Sequence, residues 1–132
     1  MALQASTARR NSCASALIAG IAGGTLRIRS GSVPANCAAT RTGTTLSTIT
    51  LPSPAFGSPS GGTVALTGTW EDLSADATGT PGYFDIEVSG AIELQGTVTI
   101  TGGGGDLTVN SATFTALQPF TITSASFAVG GA

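Results

Sequence analysis

A chain of 132 residues is the size of one domain, long enough to bury roughly 65–70% of the surface it exposes when unfolded. Seven acids stand against five arginines, with no lysine and no histidine, which excludes a basic field for nucleic acid, histidine general-base catalysis and the common nucleophilic triads. No stretch is long and apolar enough to cross a membrane as a helix, the longest candidate being the glycine-broken run 14–22.

The first element is RRNSCASALIAGIAGG, residues 9–24. A paired arginine before small apolar residues is how an export leader begins. Here Ser12 and Ser15 interrupt the run, Asn11 and Ser12 follow the pair, and Leu26 and Ile28 continue directly into an alternating pattern, so a folded element is expected instead. Cys13, Leu17 and Ile21 recur every four residues, with Ala14 and Ile18 beside them, which predicts one apolar stripe on a helix. Ser6 or Thr7 can cap its start, and Gly20, Gly23 and Gly24 can end it. So narrow a stripe of small residues cannot fold alone and must pack on the following domain or on a neighbouring copy. Residues 1–24 are thus read as an N-terminal helix or arm, and 25–132 as a β domain.

TLRIRSG places Leu26 and Ile28 on one face and Arg27 and Arg29 on the other, a half-buried strand. Residues 32–43 read as a long loop. TLSTITL is a second strand, with Ile49 and Leu51 in phase and Leu46 on the opposite face. In PSPAFGSPSGG three prolines argue against a regular strand, so Phe56 is expected to anchor the loop to the core. TVALTG alternates through Val64 and Leu66. Residues 69–82 read as a polar excursion with one helical turn.

The second half is more regular. In YFDIEVSG, Phe84, Ile86 and Val88 face in while Asp85 and Glu87 face out, and Ser89-Gly90 makes a tight turn into AIELQGTVTITG. Gly102 to Gly105 reads as a flexible turn into DLTVN. In the last segment Phe120 and Ile122 share one phase and Phe127 and Val129 the other, which predicts a bulge or a sheet crossing near Ser124. Seven or eight short strands after one helix indicate a mainly β fold, an antiparallel β-sandwich of jelly-roll or Greek-key type, with a closed barrel second.

Charge is scarce and sorted: Arg9, Arg10, Arg27, Arg29 and Arg41 precede every acid, and the acids run from Glu71 to Asp106. That polarity suits copies docking head to tail or a first third that meets an acidic partner, against the plainer reading of scattered solvated charges. Ser, Thr, Gly and Ala dominate the remainder, a neutral surface that is cheap to bury against protein. Cys13 and Cys37 allow one bridge, and free thiols are the expected state.

Neither cysteine has a partner at metal-ligand spacing, so no metal or cofactor is expected. Asp85, Glu87 and Glu93 together are about what a two-carboxylate glycosidase or a calcium site needs, but a solvated sheet face is the reading preferred. Trp70 and Tyr83, near Glu71, Asp72 and Asp76, are weak candidates for a sugar platform. GGGGD lacks the lysine of a phosphate loop and reads as a plain turn. Arg27, Arg29 and Arg41 could clamp an acidic partner.

In this order, the helix, LRIRSGSVPAN, GTTLSTITLPSPAFG, a valine strand ending in Trp-Glu-Asp, ATGTPGYFDIEVSG, IELQGTVT, DLTVN and a Thr-rich last strand resemble a group of small structural proteins of tailed bacteriophages. The resemblance covers nearly the whole chain. One departure is Arg29, where members of the group usually carry an aromatic. The resemblance implies a non-enzymatic virion protein, made in the host cytoplasm without a signal peptide, with no catalytic, cofactor or metal residues to carry over. The expected role is a capsid decoration or cement protein on the capsid surface, a homo-oligomer contacting the major capsid protein or other virion proteins and neither nucleic acid nor membrane. Its expected contacts are Arg9, Arg10, Leu17 and Ile21 on the arm and Arg27, Arg29 and Arg41 beyond it. A neck, tail or fibre-base adaptor and a carbohydrate-binding β-sandwich module are the alternatives.

Overall fold

The computed structural model describes residues 3–128. It is mainly β with one helix: α1 (Thr7–Ile18), then β1 (Thr25–Arg29), β2 (Thr45–Thr50), β3 (Thr63–Ala65), β4 (Trp70–Asp72), β5 (Tyr83–Val88), β6 (Ala91–Ile100), β7 (Leu107–Val109) and β8 (Phe120–Ala128). The strands form a single sheet in the order β2-β1-β5-β6-β7-β8-β3, with β4 also paired to β8. Beyond β4 the sheet meets its own first edge: Asp76 N donates to the Leu46 carbonyl at 2.8 Å, and Ser47 Oγ donates to the Asp72 carboxylate. The mainly β class with one helix expected from the sequence is thus the fold found, its strands packed around a core.

Leu26, Ile28, Ile49, Phe84, Ile86, Val98, Val109 and Ile122 fill that core, as strand alternation requires. Phe56 joins them as the expected anchor, edge-on to Trp70 with ring centroids 5.2 Å apart. Bulges adjust the phase in β2 and β8. Arg29 pairs with Thr45 and Ile28 with Ser47, which leaves Leu46 extra, so this leucine is fully buried although strict alternation turns it outward. Val109 pairs with Ile122 and Thr108 with Ser124, so Thr123 is extra, and the bulge predicted near Ser124 lies one residue away. Val129, placed above in one phase with Phe127, and Met1, assigned to the arm, lie outside the described residues.

Three expectations need correction. The helical turn placed in 69–82 is the strand β4 followed by loop, because Trp70 and Ile122 pair across the sheet and both are buried. The apolar stripe of α1 is offset by one residue: Ala14 is fully buried and Ile18 packs on the core, whereas Cys13 and Leu17 are exposed and Ile21 is buried only after the helix has ended. Asn11 belongs to the docked side, since its Oδ1 accepts from Gly62 N at 2.7 Å where α1 packs beside β3. Over residues 3–24 the segment packs on the domain that follows, one of the two arrangements expected of it. Gly23 N donates to the Leu51 carbonyl and Leu51 N to that of Gly24, so the segment is stitched to the domain behind it.

The last correction is the β6-β7 pair, which is parallel. Parallel neighbours normally need a crossover of about a dozen residues or more, yet here the chain returns through TGGGGD. Gly102 and Gly104 take φ of 87° and 82°, and a Cβ on Gly103 would lie 2.7 Å from that of Thr99. The glycine run is thus a tight return that only glycine fits, tied by Gly105 N donating to Thr99 Oγ1 at 2.9 Å. Gly103→Ala is expected to cost about 2 kcal/mol, as overpacking does, measured by urea unfolding.

Candidate functional site

The outer face of β1, β5 and β6 is where most of the charged candidates converge. Each β1 arginine reaches diagonally across the ladder. Arg27 stands opposite Asp85 but pairs with Glu87 at 2.7 Å, and Arg29 stands opposite Tyr83 but pairs through Nε with Asp85 at 2.9 Å. Arg29 Nη1 also donates to Thr45 Oγ1 at 2.9 Å, so an ion pair occupies the position where an aromatic was expected.

Residues 32–43 fold over this face as a strap. Arg41 holds it: Nη2 donates to the carbonyls of Asn36 at 2.9 Å and Ala39 at 2.8 Å, while Nη1 donates to Gln95 Oε1 at 2.8 Å and lies 3.9 Å from Asp85. Gln95 Nε2 donates back to the Pro34 carbonyl at 2.8 Å, and Tyr83 OH donates to that of Thr42 at 2.6 Å. Asp85 is consequently fully buried, not solvated as the alternation suggested. Its Oδ1 accepts no hydrogen bond among the described residues, which leaves Oδ2 and the two guanidinium groups to balance the charge.

Arg27, Arg29 and Arg41 thus each have a carboxylate within the subunit, Arg29 and Arg41 under the strap and Arg27 where solvent still reaches it. Arg9 is exposed, and Arg10 Nη1 donates to the Gly61 carbonyl at 2.9 Å. Leu17 borders a cleft of about 180 Å³ with Phe84, Leu94 and Phe127, whereas Ile21 belongs to the core and is withdrawn from contact with a partner. Cys13 is exposed, Cys37 half-buried, and both are free.

The sugar platform is overturned. Trp70 is 1% exposed and Tyr83 is fully buried, the one under Phe56 and the other under the strap, so neither ring can stack on a ligand. The three-carboxylate arrangement does not form either: a bulge pairs Glu87 with Ile92 and Ile86 with Leu94, which turns Glu93 out of line with buried Asp85. Among the described residues no three His, Cys, Asp or Glu side chains gather as a metal site would require, and no helix is long and apolar enough to cross a membrane.

Gln95, Leu73 and Leu117 were missed from sequence. Gln95 carried a signal, being in phase with Asp85 on the neighbouring strand. The leucines are exposed at 71% and 75%, and their only mark is to be large apolar residues inside polar loops, DLSAD and TALQP. No protein-family model, no curated protein and no solved structure matches the chain.

Proposed function

We propose that this chain is a non-enzymatic structural protein of a tailed-bacteriophage virion, a decoration or cement protein bound to the outside of the capsid. The observation that carries the reading is the way charge is used. Three of the five arginines are paired with two carboxylates of the same subunit, and the strap above them exposes Ser32, Val33, Ala35, Asn36 and Ala38. Such a surface loses little side-chain entropy and buries no unpaired charge when pressed against a shell. The motif order from LRIRSG to DLTVN supports placing that shell in a tailed phage. The action is mechanical: many copies that bind only assembled subunits stabilise the assembly by mass action.

Quantitative mass spectrometry of purified particles tests this. The expected copy number is close to that of the major shell protein. A handful of copies per particle would move the protein to the neck or tail, and absence from particles would refute the virion reading.

A further inference from the structure

Of the charges left over after the internal ion pairs, Arg9 and Arg10 lie at one end of β8 and Glu71, Asp72 and Asp76 at the other, while Glu93 and Asp106 line clefts beside Leu17. At one end, Thr63 pairs with Ala128, and the adjoining Gly61 and Gly62 hold Arg10 and Asn11 of α1. The first turn of α1 contains Arg9 and Arg10 and no acid, so two guanidinium charges add to the positive end of the helix dipole. Leu3, 88% exposed, precedes them. At the other end the last rung is Asp72 with Phe120, and just beyond it stand Leu73 and Leu117 with Glu71 and Asp76 exposed beside them. About nine residues of β8 separate the ends, roughly 27 Å.

The leucine end is built rigidly. Leu117 N donates to the Ala75 carbonyl at 2.9 Å, Ala75 N to that of Gln118 at 3.0 Å, and Ala116 N to Thr78 Oγ1 at 3.0 Å. Leu117 has φ of 68°, a left-handed conformation that a leucine rarely adopts. Its side chain lies mostly in solvent, so the conformation is held by these backbone hydrogen bonds and not by packing of the side chain. Strained residues held by their surroundings concentrate where a protein makes contact.

We propose that the chain self-associates head to tail. Leu73 and Leu117 of one copy seat beside Leu3 of the next, and Glu71 and Asp76 face Arg9 and Arg10 of that next copy. Charge complementarity selects a second copy as the occupant. Among the described residues Arg9 and Arg10 are the only cations without an acidic partner in the subunit, and three acids without a cation, Glu71, Asp72 and Asp76, border the leucines. Because the surfaces lie at opposite ends, the contact is heterologous and continues into a ring or filament. The proposal goes beyond the virion reading, since the purified chain alone tests it.

The test is sedimentation velocity of the full chain across concentration and salt. The expected result is a series of species beyond the dimer that weakens as salt rises. Leu117→Gly is expected to abolish association while leaving the unfolding midpoint unchanged or higher, because glycine takes this φ without strain. Arg9→Glu and Asp76→Arg are each expected to weaken association about tenfold, and mixing the two variants should restore it, since every contact in an alternating assembly then joins opposite charges. A chain that stays monomeric at about 1 mM, an assembly that stops at two copies, association indifferent to Leu117→Gly, or a mixture that fails to recover would each overturn the proposal.

Discussion

Asp85→Ala is expected to destabilise the domain by about 3 kcal/mol and lower its unfolding midpoint by about 10 °C. The cause is what the substitution leaves behind. Arg29 and Arg41 remain under the strap with side chains only 15% and 16% exposed, and their shared carboxylate is gone. Removing one member of a buried pair costs about 3–5 kcal/mol, and the lower end applies because both guanidinium groups still touch solvent. Two comparisons isolate that cause. Arg27→Ala breaks a pair that solvent reaches from both sides, at 25% and 33% exposure, and should cost about 1 kcal/mol or less. Arg29→Met combined with Asp85→Leu removes both charges and should recover part of the loss, because apolar residues of similar volume often replace a buried pair at little net cost. Thermal unfolding followed by circular dichroism reads all three. An Asp85→Ala midpoint within a degree or two of the parent would mean that the strap is not held by this network.

Gly82→Ala is expected to be more damaging, costing more than about 4 kcal/mol and leaving little folded protein. A Cβ there would stand 1.9 Å from the Gly31 carbonyl oxygen, and backbone cannot swing aside as a long side chain can. The position is tied from two directions, by Gly82 N donating to the Arg29 carbonyl at 2.9 Å and Val98 N donating to the Gly82 carbonyl at 3.1 Å. Any shift that relieved the clash would break the end of β1 away from β5 and β6, and with it the root of the strap. Thr80→Ala, two residues away and exposed, should stay within about 0.5 kcal/mol. The amide NMR spectrum of each variant distinguishes a folded from an unfolded chain, and a well-dispersed Gly82→Ala spectrum would show that the crossing can open.

Both predictions concern a region where sequence reasoning worked residue by residue and still misjudged the environment. Alternation in TLRIR and YFDIEV correctly assigned Leu26, Ile28, Phe84 and Ile86 to the core, and placed Arg27, Arg29, Asp85 and Glu87 on the other face. It then equated that face with solvent. Period-two alternation says which side of a sheet a residue takes, and nothing about what lies on that side. The strap 32–43 lacks periodicity altogether, so no local pattern could show that it covers Asp85. Trp70 and Tyr83 failed as a sugar platform for a related reason: their positions beside acids are visible in sequence, their burial is not.

By itself, the sequence determined the class of fold, since most strand positions, the Ser89-Gly90 turn, the Phe56 anchor and the bulge near Ser124 follow from spacing and side-chain type. These are short-range properties, set by the period of the backbone and the shape of each residue. Only the tertiary structure decided the parallel return through GGGGD, the face by which α1 docks, the closure of the sheet near Leu46 and Asp76, and the pairing of arginines with acids far along the chain. Those depend on contacts between segments remote in sequence, whose geometry no local pattern encodes. The same long-range arrangement pairs three arginines with acids of the same subunit and carries Arg9 and Leu117 to opposite ends of β8.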